Sequence, residues 1–275
     1  MTPVDVCSTY NCYSYLTGIK AIDAGRDHIC ALTSGGGVKC WGGGAYGKQG
    51  DNNLNNNNQP TDVFGLTSGV TAITAGGDHT CALTSGGGVK CWGYNYFGEI
   101  GDNSTTNRLT PVDVVGLSSG VISISAGFYH TCALTCNGGV KCWGRNTEGQ
   151  IGDNSTTHRL TPVDVVGLTS GVMSITTNGN HSCAFLFNGD AKCWGYNSRG
   201  QIGDNSTTNR LTPVSVCADA SCVSVLSGIE QIDAGGQHTC ALTSDELIKC
   251  WGYNTYGQIG DNSTADRWAP VDVLW

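Results

Sequence analysis

One phrase recurs five times along the chain: His-x-Cys-Ala-(Leu/Phe), then at a fixed distance Lys-Cys-Trp-Gly, then a loop holding Gly-Asp-Asn. Its histidines are His28, His79, His130, His181 and His238, spaced 51, 51, 51 and 57 residues apart. Units of about fifty residues cannot bury a core singly, so such a period means neighbours stacked in a solenoid or set in a propeller.

Within a unit the apolar residues follow the period of strands. Over 121–165, Val121-Ile-Ser-Ile-Ser and His130-Thr-Cys-Ala-Leu-Thr alternate, Val140-Lys-Cys-Trp is a third run, and Thr161-Pro-Val-Asp-Val-Val is a fourth. No helical pattern fits between them. Ser-Gly-Gly-Gly at 34–37 and 85–88 supplies the positive φ of a tight hairpin, and Gly-Leu-x-Ser-Gly at 65, 116 and 167 separates one unit's fourth strand from the next unit's first. The pattern predicts an all-β fold, a β-propeller of five four-stranded blades at about 2–59, 60–110, 111–161, 162–212 and 213–275 of a single domain 1–275. Proline opening the fourth strand suits an outer edge, where no ladder needs its N–H.

Ten of the 15 cysteines stand in register pairs that bracket the hairpins: Cys30 with Cys40, Cys81 with Cys91, Cys132 with Cys142, Cys183 with Cys193, and Cys240 with Cys250. Strands paired symmetrically about the turn would set each pair directly opposite, with Cα atoms roughly 4.5 Å apart, at the short end of disulfide geometry. Closing each loop stabilises by about 2–3 kcal/mol in the chain-entropy account. Cys7 with Cys12 and Cys217 with Cys222 flank matching insertions and predict two more bridges, leaving Cys136 where Ser34 and Ser85 stand in other hairpins. Disulfides in this number point to an extracytoplasmic setting. Zinc is the competing reading, but His-x-Cys and the later Cys give three ligands per blade with no recurrent fourth. The Gly-Asp-Asn-Ser-Thr loops lack the closely spaced carboxylates of a calcium site and read as turns in which Asp and Asn cap their own backbone.

The motifs Ala-Gly-x-x-His-Thr-Cys-Ala-Leu-Thr, Gly-Val-Lys-Cys-Trp-Gly, Asn-x-x-Gly-Gln-Ile-Gly-Asp and Thr-Pro-Val, in that order, resemble the repeat of the regulator of chromosome condensation family over essentially the whole chain. The resemblance implies blades of a ring that has seven in the family and works through its faces. It includes a nuclear guanine-nucleotide exchange factor, a bacterial inhibitor of β-lactamases and a plant ultraviolet receptor, so it implies no single activity. By the same resemblance the recurrent His is structural, its ring bonded to a neighbouring turn. The column Trp41, Trp92, Trp143, Trp194 and Trp251 is expected to fill the space between sheets.

The formal charge is −8 and the 14 Lys and Arg do not cluster, so the electrostatic footprint of a nucleic-acid binder is missing. No apolar run reaches the roughly 18–20 residues of a membrane span, and the start has no charged-then-apolar signal segment. Nearly every His and Asp belongs to a repeated column, whereas a catalytic set is a unique constellation. The glycine-rich turns join strand to strand without the helix that a phosphate loop needs. The reading is a non-enzymatic binding module with no cofactor and a protein partner; an exchange factor for a small GTPase and a piece of a surface repeat array are the alternatives.

In an up-and-down blade, the loops between strands one and two and between three and four emerge on one face. Repeats differ most there. One loop carries Arg26, Phe128 and Tyr129; the other carries Tyr46, Tyr94, Tyr96, Phe97, Arg145, Glu148, Tyr196, Arg199, Tyr253 and Tyr256. An invariant framework with a variable Tyr- and Arg-rich face suits protein recognition. Solvent-exposed drift is the alternative, and it would favour Lys, Ser and Glu over Tyr.

The outer-strand element occurs six times, at Pro3, Pro60, Pro111, Pro162, Pro213 and Pro270, one more than five blades need. The expectation is therefore an open or strained arc, part of a longer array, that exposes apolar flanks including Trp268 and Trp275 and self-associates through its ends.

Overall fold

The structure, a computed structural model, describes residues 5–7 and 15–274. Its twenty strands form five antiparallel sheets of four. The first sheet holds β1 (Ile19–Ala24), β2 (His28–Thr33), β3 (Val38–Gly42) and β4 (Asn57–Asp62), and the second β5 (Val70–Ala75), β6 (His79–Thr84), β7 (Val89–Gly93) and β8 (Arg108–Asp113). The third holds β9 (Val121–Ala126), β10 (His130–Thr135), β11 (Val140–Gly144) and β12 (Arg159–Asp164). The fourth holds β13 (Val172–Asn178), β14 (His181–Leu186), β15 (Ala191–Gly195) and β16 (Arg210–Ser215), and the fifth β17 (Ile229–Ala234), β18 (His238–Thr243), β19 (Ile248–Gly252) and β20 (Arg267–Asp272).

Five of the six prolines lie in the fourth strands, which pair on one side only, as an absent N–H requires. Pro3 lies outside the described residues. Hydrogen bonding moves the unit boundaries: the expected cuts after residues 59, 110, 161 and 212 fall inside β4, β8, β12 and β16, each of which pairs with the strand before it. The Gly-rich hairpins turn as expected, with Gly36 at φ 79° and only 2.9 Å between a Cβ built there and the next blade's Gly69 nitrogen.

The inner strands β1, β5, β9, β13 and β17 adjoin in sequence order, and each second strand packs on the next sheet's first. The apolar core accordingly lies between sheets. Trp143 of the third sheet, for example, is buried among Val89, Ile100, Val114 and Val121, drawn from the second sheet and from its own. Trp92, Trp194 and Trp251 occupy the same place at the other joints, and replacing such a ring by Ala costs about 3–5 kcal/mol. Among the described residues no comparable packing joins the fifth sheet to the first, so the sheets form an open arc. Trp268 does not lie on the free flank: it seats against Gly200 at the joint between the fourth and fifth sheets. Trp275 is outside the described residues.

Each joint is closed by one polar device. The carbonyls of Lys48, Glu99, Gln150 and Gln201 accept the indole N–H of Trp92, Trp143, Trp194 and Trp251 at 2.8–2.9 Å. They also accept the hydroxyls of Thr80, Thr131, Ser182 and Thr239. Those hydroxyls in turn bond the Nε2 of His28, His79, His130 and His181 on the preceding sheet at 2.8–2.9 Å. The histidine thus reaches across to a strand hydroxyl rather than to a neighbouring turn. Burial lowers its pKa, to about 4 for His28 and about 3 for His79, His130 and His181.

The paired cysteines face each other in register, with Cα atoms 4.1–4.2 Å apart in Cys30–Cys40, Cys81–Cys91, Cys132–Cys142, Cys183–Cys193 and Cys240–Cys250. Cys217–Cys222 closes its insertion, and Cys136 is free and exposed. The expected partner of Cys7, Cys12, lies outside the described residues.

Two measurements check this framework. Non-reducing peptide mapping should recover the six named bridges, with Cys136 alkylated before reduction; alkylation of the hairpin cysteines would contradict it. The four buried histidines bind protons more readily unfolded, near pH 6.5, than folded, near 3–4. The stability they represent is therefore complete above about pH 6.5 and is lost as pH falls toward 4. Denaturant midpoints should drop across that interval, and a flat profile would show that the rings carry charge in the folded state.

Candidate functional site

The two variable loops of each blade meet at one end of the sheets. Backbone bonds tie them: Gly43 N–H to the Asp27 carbonyl, Tyr94 to Asp78, Arg145 to Tyr129, Tyr196 to Asn180 and Tyr253 to Gln237, at 2.7–3.0 Å. The longer loop is braced from beneath. Buried Asn95 donates to Asp102, Ser104 and Thr106, and its Oδ1 accepts the Ile100 N–H at 2.9 Å. Asn146, Asn197 and Asn254 repeat the arrangement. Asp102 caps the Ser104 N–H and pairs with Arg108, so the Gly-Asp-Asn loop does cap its own backbone.

On this base the aromatic side chains gather into two groups. The larger spans the first three blades. Tyr94 is its centre, with ring centroids 4.9 Å from Tyr46, 6.1 Å from Tyr129, 6.3 Å from Phe97 and 6.4 Å from Tyr96. Phe97 also meets Tyr96, Tyr129 and His158, and Phe128 meets Tyr129. The Arg145 guanidinium lies 5.8 Å from the centroids of both Phe97 and Tyr129 and is held by Glu148 at 2.9 Å. Arg26 reaches the Tyr129 hydroxyl at 3.4 Å. The second group belongs to the last two blades: Arg199 lies over Tyr253 at 5.1 Å, Tyr253 meets Tyr256 at 5.9 Å, and Arg199 pairs with Asp266. Tyr196 enters neither set of ring contacts among the described residues. Tyr96 and Tyr256 are the most exposed of these rings, at 66% and 85%.

Charged groups lie beneath the rings. Buried Lys48 pairs with Asp27 of its own blade and, at 2.7 Å, with buried Asp78 of the next, which also accepts from Arg26. Burial would raise the Asp78 pKa, but the hydrogen bonds from Lys48 and Arg26 outweigh it and hold the carboxyl below its ordinary value. Glu99 is fully buried; its Oε2 accepts the Phe97 N–H at 2.9 Å, and its Oε1 has no hydrogen-bond partner. Burial pushes it up to about 8. Burial likewise raises the Tyr94 hydroxyl, with Glu99 the next cause. The signal was present in one column, where Lys48 and Glu99 replace the amide of Gln150, Gln201 and Gln258.

The Regulator of chromosome condensation (RCC1) repeat pattern matches residues 19–48, 70–99, 121–150, 174–201 and 229–258, and in its longer form 36–83, 87–134, 137–185 and 188–242. The chain belongs to the RCC1 repeat family. It is 29% identical to the ultraviolet-B receptor UVR8 of Arabidopsis thaliana over 93% of this chain and 70% of that protein. It is 33% identical to the probable E3 ubiquitin-protein ligase HERC4 of Homo sapiens over 72% of this chain but only 19% of that protein. Human WBSCR16 shares the fold with a TM-score of 0.80 at 21% identity, over 94% of this chain and 67% of that one. Yeast RCC1 (Prp20), solved bound to Kap60, gives 0.79 at 21% identity over 94% and 61%. Both likenesses are of RCC1 architecture.

Neutral Glu99 yields a test. Its folded pKa, about 8, lies above the ordinary carboxyl value, so the folded state holds the proton more tightly. The stability so gained is full below about pH 4.5 and is lost as pH rises through 8, by at most roughly 1.4 kcal/mol per pH unit. Glu99→Gln, which installs the side chain of the other blades, should remove this alkaline decline and raise the midpoint at pH 8. Unchanged midpoints and slope would place the ionised carboxylate in the fold.

Proposed function

We propose that the protein is a non-enzymatic binding module that recognises a protein partner through the aromatic face of its first three blades, outside the reducing cytosol. The observation that carries this reading is the Tyr46–Tyr94–Phe97–Tyr129 group with Arg145 seated against it. Tyrosine and arginine concentrate binding energy at protein interfaces because each offers a broad apolar surface and a polar tip on few rotatable bonds. Braced loops hold the rings in place before contact, so little ordering entropy opposes binding. Six described disulfides favour an oxidising compartment. One protein of this fold, yeast RCC1 (Prp20), has been solved bound to another protein, Kap60.

The test is affinity capture from the native source, followed by titration of the captured partner. Tyr94→Ala and Tyr129→Ala should each weaken binding by about 1–2 kcal/mol or more, while Ser85→Ala on the opposite face leaves it unchanged. Tyr256→Ala reports on the second group, and loss there with none at Tyr94 would move the interface to the last two blades. Equal losses from the face and from Ser85→Ala would remove the reading.

A further inference from the structure

The loop that follows each recurrent Gly-Asp carries, in four blades, the triplet Asn-Ser-Thr: Asn103-Ser104-Thr105, Asn154-Ser155-Thr156, Asn205-Ser206-Thr207 and Asn262-Ser263-Thr264. The fold accounts for the first two residues of each. The asparagines hold a left-handed backbone, with φ of 61°, 61°, 55° and 59°, a conformation that their short polar side chain tolerates. Each serine N–H bonds the aspartate two residues earlier, and the serine Oγ accepts the N–H two residues on, completing the turn. No such duty falls to the threonine: Thr105, Thr156, Thr207 and Thr264 are exposed and enter no hydrogen bond among the described residues. The first blade shows that the turn forms without it. There Asn52 has φ 66°, Asn53 takes the serine's place on Asp51, and Leu54 stands where the threonine does.

A hydroxyl two residues after an exposed asparagine completes the acceptor for asparagine-linked glycosylation, which is read as Asn-x-Ser/Thr on a surface loop of a secreted protein. The triplets differ in what surrounds the amide. The side chains of Asn103, Asn154 and Asn262 are exposed and unbonded among the described residues. The backbone N–H groups of Asn103 and Asn154 bond the carbonyls of Leu160 and Leu211 at 3.0 Å, which fixes these amides beside the outer strands β12 and β16. Asn205 instead donates its Nδ2 to the Ala220 carbonyl at 2.9 Å, in the insertion closed by Cys217–Cys222. A fifth triplet, Asn180-His181-Ser182, is shut by the fold: Ser182 is fully buried, and its hydroxyl donates to the Gln150 carbonyl and also bonds the His130 Nε2.

We propose that Asn103, Asn154 and Asn262 are N-glycosylation sites, an inference that rests on the setting outside the reducing cytosol proposed above. The amide nitrogen attacks the anomeric carbon of a lipid-diphosphate-linked oligosaccharide. A C–N bond forms as the anomeric C–O bond breaks, the lipid diphosphate leaves with the bonding electrons, and the amide gives up one proton. The test treats protein from its native source with peptide-N-glycosidase in heavy-oxygen water, which turns each glycan-bearing asparagine into a labelled aspartate. Label is expected at Asn103, Asn154 and Asn262, with Asn180 and Asn205 bare. Two variants of the full chain, secreted from a eukaryotic host, read the same rule. Thr105→Ala should lose the label at Asn103 alone, and Leu54→Thr, which completes a triplet after Asn52, should gain one there, both with the wild-type melting temperature. Absence of label from native protein whose disulfides are formed overturns the proposal and leaves the compartment standing, whereas absence together with free hairpin cysteines removes both. Label at Asn180 or Asn205 equal to that at the three open sites, or no gain from Leu54→Thr, also overturns it.

Discussion

Everything in this molecule rests on a backbone carbonyl that accepts two hydrogen bonds from the next blade. Four strands cannot bury a tryptophan alone, and the ring that fills the gap between sheets brings an N–H that must be satisfied in the dark. The carbonyls of Lys48, Glu99, Gln150 and Gln201 meet that need, and their second lone pair takes the hydroxyl that the preceding histidine also binds. Apolar packing would tolerate a slip of one sheet on another. A buried chain of ring, hydroxyl, carbonyl and indole does not, because a shifted register strands several polar groups at once.

That rigidity is what frees the loops to vary. Each long loop is held by a buried asparagine and an Asp–Arg pair that recur in four blades, so its backbone is settled before its exposed side chains are chosen. Tyr94, Arg145, Tyr196 and Tyr253 occupy one loop position on near-identical backbone, yet only the first two join the large aromatic group. What differs is the neighbouring short loop, which offers Tyr129 to both Tyr94 and Arg145. The surface is thus composed from pairs of adjacent blades, and a repeat cannot be assigned a role from its own sequence.

This explains which parts were legible. The period, the strand alternation and the cysteine register are properties of a single unit, and each appears in the sheets as the residues imply. The role of the histidine is a property of two units. Its partner lies 52 positions along for His28, His79 and His130, on the next sheet, and becomes visible only when the residue after each histidine is read as a column of its own. The sequence reads as one aromatic face, which divides into two groups because in the fourth repeat Asn180 and Tyr196 bring no ring to the centre. The buried charges are not legible in a single repeat, because Lys48 and Glu99 read as ordinary polar loop residues until the amides of the other blades are set beside them.

The charges also show how an open arc holds its ends. Each inner blade is clamped on both sides among the described residues, whereas the first and fifth are each held by one joint. Among the described residues the ion pairs that cross between blades occur only at the first and last joints: Arg26 and Lys48 with Asp78, and Arg199 with Asp266. The last joint further replaces the seated leucine by Trp268 and adds a bond from Thr176 to Asp233. Exposed pairs such as Arg199–Asp266 contribute little, about 0–1 kcal/mol, but Asp78 is buried and doubly paired, where loss of a partner costs about 3–5 kcal/mol. The first joint is therefore reinforced by charge and the last by apolar area. The first blade meets the arc beside the aromatic group, so the ion pairs that secure it also fix Arg26 against Tyr129 and bind the stability of the arc's end to the shape of the face.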